Sequence, residues 1–436
     1  MNYISTNDRG PEATLNEAVL RSTPQAGGLY MPRELPVIPA PFFMNCGEMT
    51  FAEISYVLAN QLFGADIDSA ALKHIVDESF NFRIPLVKIS DRLYAAELFE
   101  GPTLTFKDFG ARFMARMISY LHSRGKRGGE KLHVLMATNG NTGSAIANAF
   151  AGISNVECYI VFPRGTAWRQ LETQFTTLGG NIHALEVEGT IDDCHSLVHQ
   201  VYTDAELNKK LVITSANSVN IARLLPQTFY YFYAMAKLRQ KVGDAKVTVA
   251  VPAGNLGNLT AAVAARRMGL PIQRLIACEN ANSYLTDLLT NGHADAPRAI
   301  PTLASAADKG TPTNIARLLY LCQNSVEALR HEIESYSYND ADIIAGVNGC
   351  YSKTGYTVDP HAALAYNALT EHLADDEIGL IMATGHPARS LTAMNAITGR
   401  AMDLPLQLTR FMAGRDMRRK IQPTYSALRK AILDYA

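Results

Sequence analysis

The sequence predicts an α/β protein built on parallel sheets covered by helices on both faces. Short apolar runs rich in strand-forming residues, at 132–137, 158–162, 182–187, 211–214, 247–251, 275–278 and 378–382, are separated by stretches of helical length. Such runs suit strands buried on both faces. Polar loops follow three of them, at 138–143, 254–258 and 384–387, the carboxyl ends where ligands bind in such sheets.

The chain of 436 residues is 47% hydrophobic and 19% charged, enough to bury a large core in two or three domains. Its 40 basic and 41 acidic residues leave a net charge of −1, which gives no electrostatic case for nucleic acid or an anionic membrane. Its 6 cysteines form no C-x-x-C pair, so no metal site and no disulfide framework is expected. The N-terminus lacks a basic stretch followed by an apolar one, and no apolar run reaches about 18 residues, so a cytoplasmic protein is expected. There are no internal repeats.

Taken in order, residues 1–95 read as a small mixed unit. A helix is expected from near Leu15 to Arg21, a turn at Gly27-Gly28-Leu29-Tyr30-Met31-Pro32, and helices around 51–63 and 69–80. Residues 87–90 and 93–99 form a short hairpin. It leads into Gly101-Pro102-Thr103-Leu104-Thr105-Phe106-Lys107-Asp108, where a turn gives way to a helix with Phe109, Phe113, Met117 and Leu121 as its buried stripe. Lys107 therefore stands at a helix N-terminus between apolar residues. The helix dipole and the apolar surroundings both disfavour its ammonium, as an amine nucleophile that forms a Schiff base requires. A solvated lysine with Asp108 as a helix-start residue would satisfy the same local pattern. From Lys131 onward the strand–helix alternation is regular.

The loops hold the remaining chemistry. Gly254-Asn255-Leu256-Gly257-Asn258 lies between a strand and a helix, where glycines let backbone N–H groups approach an anion. It fits neither G-x-G-x-x-G nor a P-loop, which argues against a nucleotide. Thr138-Asn139-Gly140-Asn141-Thr142-Gly143 offers more hydroxyls and amides than a helix cap needs, and suits a carboxylate or a ring oxygen. Ser215-Ala216-Asn217-Ser218, followed by Arg223, combines small donors with a planar guanidinium suited to phosphate. Thr384-Gly385-His386-Pro387 follows the last strand, and His386 reads as structural.

Together these stretches resemble the threonine synthases, pyridoxal-phosphate enzymes of fold type II, the fold shared with tryptophan synthase β and threonine deaminase. The likeness also takes in Tyr3-Ser5-Thr6-Asn7, Gln174-Phe175-Thr176-Thr177-Leu178-Gly179, Asp359-Pro360-His361 and His386-Pro387-Ala388. It implies two parallel-sheet α/β domains plus a small N-terminal one: residues 1–95, a large cofactor domain of 96–130 and 225–436, and a small α/β domain of 131–224. It makes Lys107 the Schiff-base lysine and gives the cofactor phosphate to Gly254, Asn255, Leu256, Gly257 and Asn258. Asn141 would lie near the pyridine 3-oxygen and Thr384 at the ring nitrogen. Thr138, Asn139, Thr142, Asn217, Ser218 and Arg223 are left for substrate, with Asn217, Ser218 and Arg223 on its phosphate.

The implied reaction turns O-phosphohomoserine and water into threonine and phosphate, in a monomer or homodimer. The chain departs from that family's pattern in carrying Glu100 for histidine, Thr105 for alanine, Asn139 and Ala253 for serine, and Arg389-Ser390 for Lys-Phe. An acid at Glu100, close in sequence to Lys107, is expected to repel a phosphorylated substrate. Glu100 and Asn139 favour a rival of the same fold, a lyase or deaminase acting on another hydroxy or phosphorylated amino acid, whereas Asn217, Ser218 and Arg223 favour the synthase. A weakly catalytic sensor of an amino acid or cofactor is a further alternative, one that would have no use for Lys107.

Overall fold

The computed structural model describes residues 1–165, 169–295 and 297–435. Its thirteen strands, in chain order, are β1 (Tyr3–Ser5), β2 (Tyr30–Pro32), β3 (Leu86–Lys88), β4 (Leu93–Glu97), β5 (Leu132–Ala137), β6 (Val156–Pro163), β7 (Ile182–Val187), β8 (Val212–Ser215), β9 (Lys246–Pro252), β10 (Arg274–Glu279), β11 (Glu334–Ser337), β12 (Glu377–Ala383) and β13 (Arg419–Ile421). They form a six-stranded sheet in the order β11-β10-β9-β12-β4-β3, a five-stranded sheet in the order β13-β7-β6-β5-β8, and the pair β1-β2. The five-stranded sheet is parallel throughout, and the six-stranded one is parallel except for the hairpin β3–β4.

Why the strands read as unbroken apolar runs is clear from the two faces of each sheet. Val249, Val251, Leu275, Ala277, Leu380 and Met382 enter the main core on one face of the large sheet. Their neighbours Ala250, Ile276, Cys278 and Ile381 enter a second core on the other. In the small sheet Val134 and Met136 join the main core, while Leu135 and Ala137 face a third.

The helix Lys107–Ser123 runs through the main core. Phe109, Phe113, Met117 and Leu121 are buried as expected, but so are Gly110, Ala111, Met114, Ala115 and Ile118, so burial goes nearly all the way round. Small residues on the far side let neighbours approach: a Cβ at Gly110 would lie 2.4 Å from the Arg223 carbonyl oxygen. The N-terminal helices Phe51–Phe63 and Ser69–Ser79 pack aromatic rings on it, with Phe51 5.4 Å and Phe80 6.1 Å from Phe109. Thr50 opens the first of these with a capping box closed by Glu53.

Three parts differ from the sequence reading. Tyr30–Pro32, expected within a turn, forms a strand paired with Tyr3–Ser5. Glu334–Ser337 is a short edge strand that no apolar run announces. The C-terminal strand leaves the 225–436 grouping, pairing with β7 in the five-stranded sheet, because Ile421, Leu428, Ala431 and Ile432 bury against that sheet's outer face.

Candidate active site

A cavity of about 450 Å³ opens where the C-terminal ends of β9 and β12 meet the small sheet, and Lys107 lies on its wall. The placement of Lys107 follows from pairing. Because β4 and β12 are parallel neighbours, the chain leaving β4 runs alongside the end of β12. Leu98 N–H donates to the Ala383 carbonyl and Phe106 N–H to that of Thr384, both at 2.9 Å, and Leu104 accepts from His386 N–H. Asp108 turns back on the preceding turn and accepts from the Thr103 N–H at 2.8 Å and its hydroxyl at 2.5 Å. A Cβ at Gly101 would lie 2.5 Å from that carboxylate, so only glycine fits. Lys107 and Thr384 are thus fixed on one wall by a hydrogen-bonded seam, and Asp108 is a buried clasp for the turn.

The Lys107 ammonium is pushed down from its ordinary 10.5 to about 7, first by burial and then by the cations Arg389, Arg223 and Lys309, against the pull of Asp359. The Phe106 ring centroid lies 5.2 Å from Nζ. The amine therefore loses its proton near neutral pH, far below the range of an ordinary lysine.

Loop 254–258 joins β9 to the helix Gly257–Arg267, whose N-terminus carries no side-chain cap. Leu256 there is left-handed at φ 57°, a conformation costly for a side chain and one that turns successive N–H groups toward a common point. The Asn258 Oδ1 accepts from the hydroxyls of Tyr230 and Tyr231 at 2.6 and 2.7 Å, which leaves its buried Nδ2 without a protein partner on the cavity wall. A helix N-terminus with free N–H groups, an orphaned amide donor, a neutral amine and a strand-end threonine are the set that a phosphorylated pyridine aldehyde needs. The residues present fit pyridoxal phosphate.

A second group of polar side chains lines the same cavity. Arg223, 5% exposed, begins no ion pair among the described residues, and its Nη1 has no partner. Ser218 lies beside it on the wall and accepts from Asn255 Nδ2 at 3.2 Å. Asn141 and Thr142, which start the helix Asn141–Phe150, line the cavity from the small sheet.

Of the residues singled out from sequence, Lys107, Asn141, Thr142, Ser218, Arg223, Gly254, Asn255, Leu256, Gly257, Asn258 and Thr384 line the cavity. Thr138, Asn139 and Asn217 are not among the lining residues. The Thr138 hydroxyl is used inside its own loop, accepting from Gly140 and Gly143 N–H at 3.0 Å each, and Asn139 points to solvent. Glu100 also lies off the wall and pairs with Arg83 at 3.2 Å, so its carboxylate has a cationic partner outside the cavity. His386 is structural, accepting from Ala388 N–H at 3.0 Å.

The largest omission was Arg389. It is nearly buried on the cavity wall, donates to the Thr103 carbonyl and lies 3.4 Å from Gln174 Oε1 and 3.5 Å from Asn141, bridging the two sheets beside Lys107. Its departure from Lys-Phe was the available signal. Asp359, bonded to His361 at 2.7 Å, is the carboxylate of this wall.

Two family models match the chain: "Threonine synthase N terminus" over residues 2–80 and "Pyridoxal-phosphate dependent enzyme" over 83–385. The chain is 36% identical to the threonine synthase of Serratia marcescens over 408 residues, covering 94% of this chain and 93% of that one. It is 34% identical to that of Escherichia coli (strain K12) over the full length of both. The crystal structure of the Escherichia coli enzyme superposes with a TM-score of 0.90 at full coverage of both chains. The pyridoxal-phosphate-bound threonine synthase from Brucella melitensis does so with 0.93 at 30% identity, covering 100% and 99%. With the fold and the buried amine in place, the chain belongs to the threonine synthase family of pyridoxal-phosphate dependent enzymes.

Proposed function

We propose that the chain converts O-phospho-L-homoserine and water to L-threonine and phosphate, with pyridoxal phosphate as its cofactor. The observation that carries this reading is that one low-pKa amine, Lys107, shares a cavity with the uncapped helix start after loop 254–258 and with the unpaired Arg223 guanidinium. When bound, the cofactor supplies an electron sink for charge that develops on the substrate carbons.

The chain's own residues do the rest. Lys107 anchors the cofactor through Nζ, and its amine takes and returns protons at the substrate carbons, helped by a pKa near the working pH. Loop 254–258 would hold the cofactor phosphate through backbone N–H groups, with Asn141 toward the ring 3-oxygen and Thr384 toward the ring nitrogen. Ser218 and Arg223 hold the substrate phosphate, whose binding energy positions the remote reacting carbons. Thr142 and the start of its helix take the substrate carboxylate.

Among the described residues no helix is long and apolar enough to cross a membrane. We take the compartment to be cytoplasmic and the assembly to be a monomer or homodimer. The test is turnover of O-phosphohomoserine by purified protein with phosphate and threonine both measured. Equal release of the two is expected. Faster turnover of serine or threonine to an oxo acid would replace this reading with a deaminase.

A further inference from the structure

Arg317 does not line the cavity, yet it is fully buried, and each of its hydrogen bonds ends on a neutral oxygen. Nε and Nη2 donate to the Tyr30 carbonyl at 3.2 and 3.0 Å, Nη2 also donates to the Val219 carbonyl, and Nη1 donates to Asn314 Oδ1 at 2.9 Å. Burying a guanidinium on carbonyls alone is costly, so the position of those carbonyls matters.

Following the bonds outward shows what they position. Asn314 Nδ2 donates to the Asn255 carbonyl at 2.8 Å, Thr313 N–H donates to Asn255 Oδ1 at 2.7 Å, and Asn255 Nδ2 donates to Ser218 Oγ. Ser218 is followed by Val219, whose carbonyl returns to Arg317. We propose that Arg317 is a positioning residue that braces both anion sites at once, through this closed ring of Arg317, Asn314, Asn255, Ser218 and Val219. The proposal rests on the assignment of loop 254–258 to the cofactor phosphate and of Ser218 with Arg223 to a second phosphate.

The ring permits only one sense. A guanidinium cannot accept, so Asn314 must present Oδ1 to it and Nδ2 to the Asn255 carbonyl. A backbone N–H cannot accept either, so Asn255 must present Oδ1 to Thr313 and Nδ2 to Ser218. With the Asn255 carbonyl fixed, the N–H of Leu256 in the same planar peptide unit is fixed in the opposite direction. Lysine could not replace Arg317, because one ammonium lacks the planar fork that reaches three separated acceptors. The bond to Tyr30 in β2 also draws the N-terminal strand pair into the brace, which gives that unit a part in the site.

The experiment compares Arg317→Lys, Asn314→Ala and Gly257→Val. Three quantities are measured: the affinity of cofactor-depleted protein for pyridoxal phosphate by visible absorbance, the affinity of holoenzyme for inorganic phosphate by calorimetry, and the Tm. Arg317→Lys is expected to weaken both affinities. Asn314→Ala keeps the Arg317–Val219 bond and loses two others, of which only the one to the Asn255 carbonyl holds the loop, so it should weaken cofactor binding by about three- to tenfold and phosphate binding less. A purely structural arginine would lower Tm and leave both affinities alone. If Arg317→Lys folds and changes only one affinity or neither, the brace is refuted. If it does not fold, an unchanged cofactor affinity in Asn314→Ala refutes it. Gly257→Val separates the premises: cofactor affinity lost there but kept in Asn314→Ala sinks the brace alone, and affinity kept in both sinks the loop assignment as well.

Discussion

Replacing Arg223 by methionine is the sharpest test of where the substrate phosphate binds. Methionine keeps most of the aliphatic volume and removes the charge. Arg223 is 5% exposed with Nη1 unpartnered, and burial pushes its guanidinium down to about 10. The native chain therefore carries the desolvation cost of this charge with little return until an anion arrives. A hydrogen bond to a charged group is worth roughly 1.5–3 kcal/mol, and about 1.4 kcal/mol is tenfold in rate. kcat/KM for O-phosphohomoserine should then fall by roughly 10- to 150-fold. The Tm of substrate-free holoenzyme should hold or rise, since an uncompensated buried charge is gone. The holoenzyme should keep its cofactor, although removing one of the cations near Lys107 raises that amine's affinity for a proton. Steady-state kinetics with phosphate release, run beside differential scanning calorimetry, reads both quantities. A fall in kcat/KM of less than about twofold would refute the assignment. So would an equal loss on an unphosphorylated amino acid, because that pattern belongs to a disturbed Lys107 wall.

Four further outcomes follow from the same geometry. Lys107→Ala should abolish turnover and the adduct trapped by borohydride; a reduced adduct on another lysine would move the anchor. The folded-state pKa of Lys107 is depressed, so the cost of charging it is fully present below about pH 7 and is relieved as pH rises from about 7 to 10.5. Cofactor-depleted Lys107→Met should accordingly exceed the native chain in Tm near pH 6 and lose that advantage toward pH 10.5, and a pH-independent difference would contradict the buried-amine account. Gly257 meets nothing closer than 3.4 Å with an added Cβ whereas Gly254 meets the Ala307 Cα at 2.6 Å, so Gly257→Val should weaken cofactor binding with a small change in Tm, and Gly254→Val should damage the fold itself. Glu100→His should leave substrate preference unchanged, because Glu100 faces Arg83 and not the cavity; a gain of phosphohomoserine turnover would show that it reaches the substrate.

Much of the architecture was legible because strands buried on both faces advertise themselves. Val247-Thr248-Val249-Ala250-Val251 and Leu132–Ala137 are apolar on every residue or nearly so, and their loops carry the ligand-facing glycines and asparagines. Lys107 was legible for a related reason: its helix start, its apolar neighbours and its turn are all local. The short strands were not. Tyr3–Ser5, Tyr30–Pro32 and Arg419–Ile421 are three residues each, and their pairing is decided by partners far away in the chain.

The same division explains which site residues were missed. Nothing local in the sequence marks Arg389 or Arg317 as buried, and only tertiary packing makes them buried cations with carbonyl partners drawn from Thr103, Tyr30 and Val219. Glu100 shows the converse error. Its nearness to Lys107 in sequence suggested a shared wall, but the turn at Gly101 and Pro102 separates them, and Arg83 on the preceding segment takes the carboxylate. Proximity along a chain constrains contact only within one regular element, where spacing fixes direction. Across a turn it constrains almost nothing, so departures from a family pattern become interpretable only when the wall they face is known. By that measure Arg389, which faces Asn141 and Lys107, is the departure that bears on chemistry, and Glu100 is not.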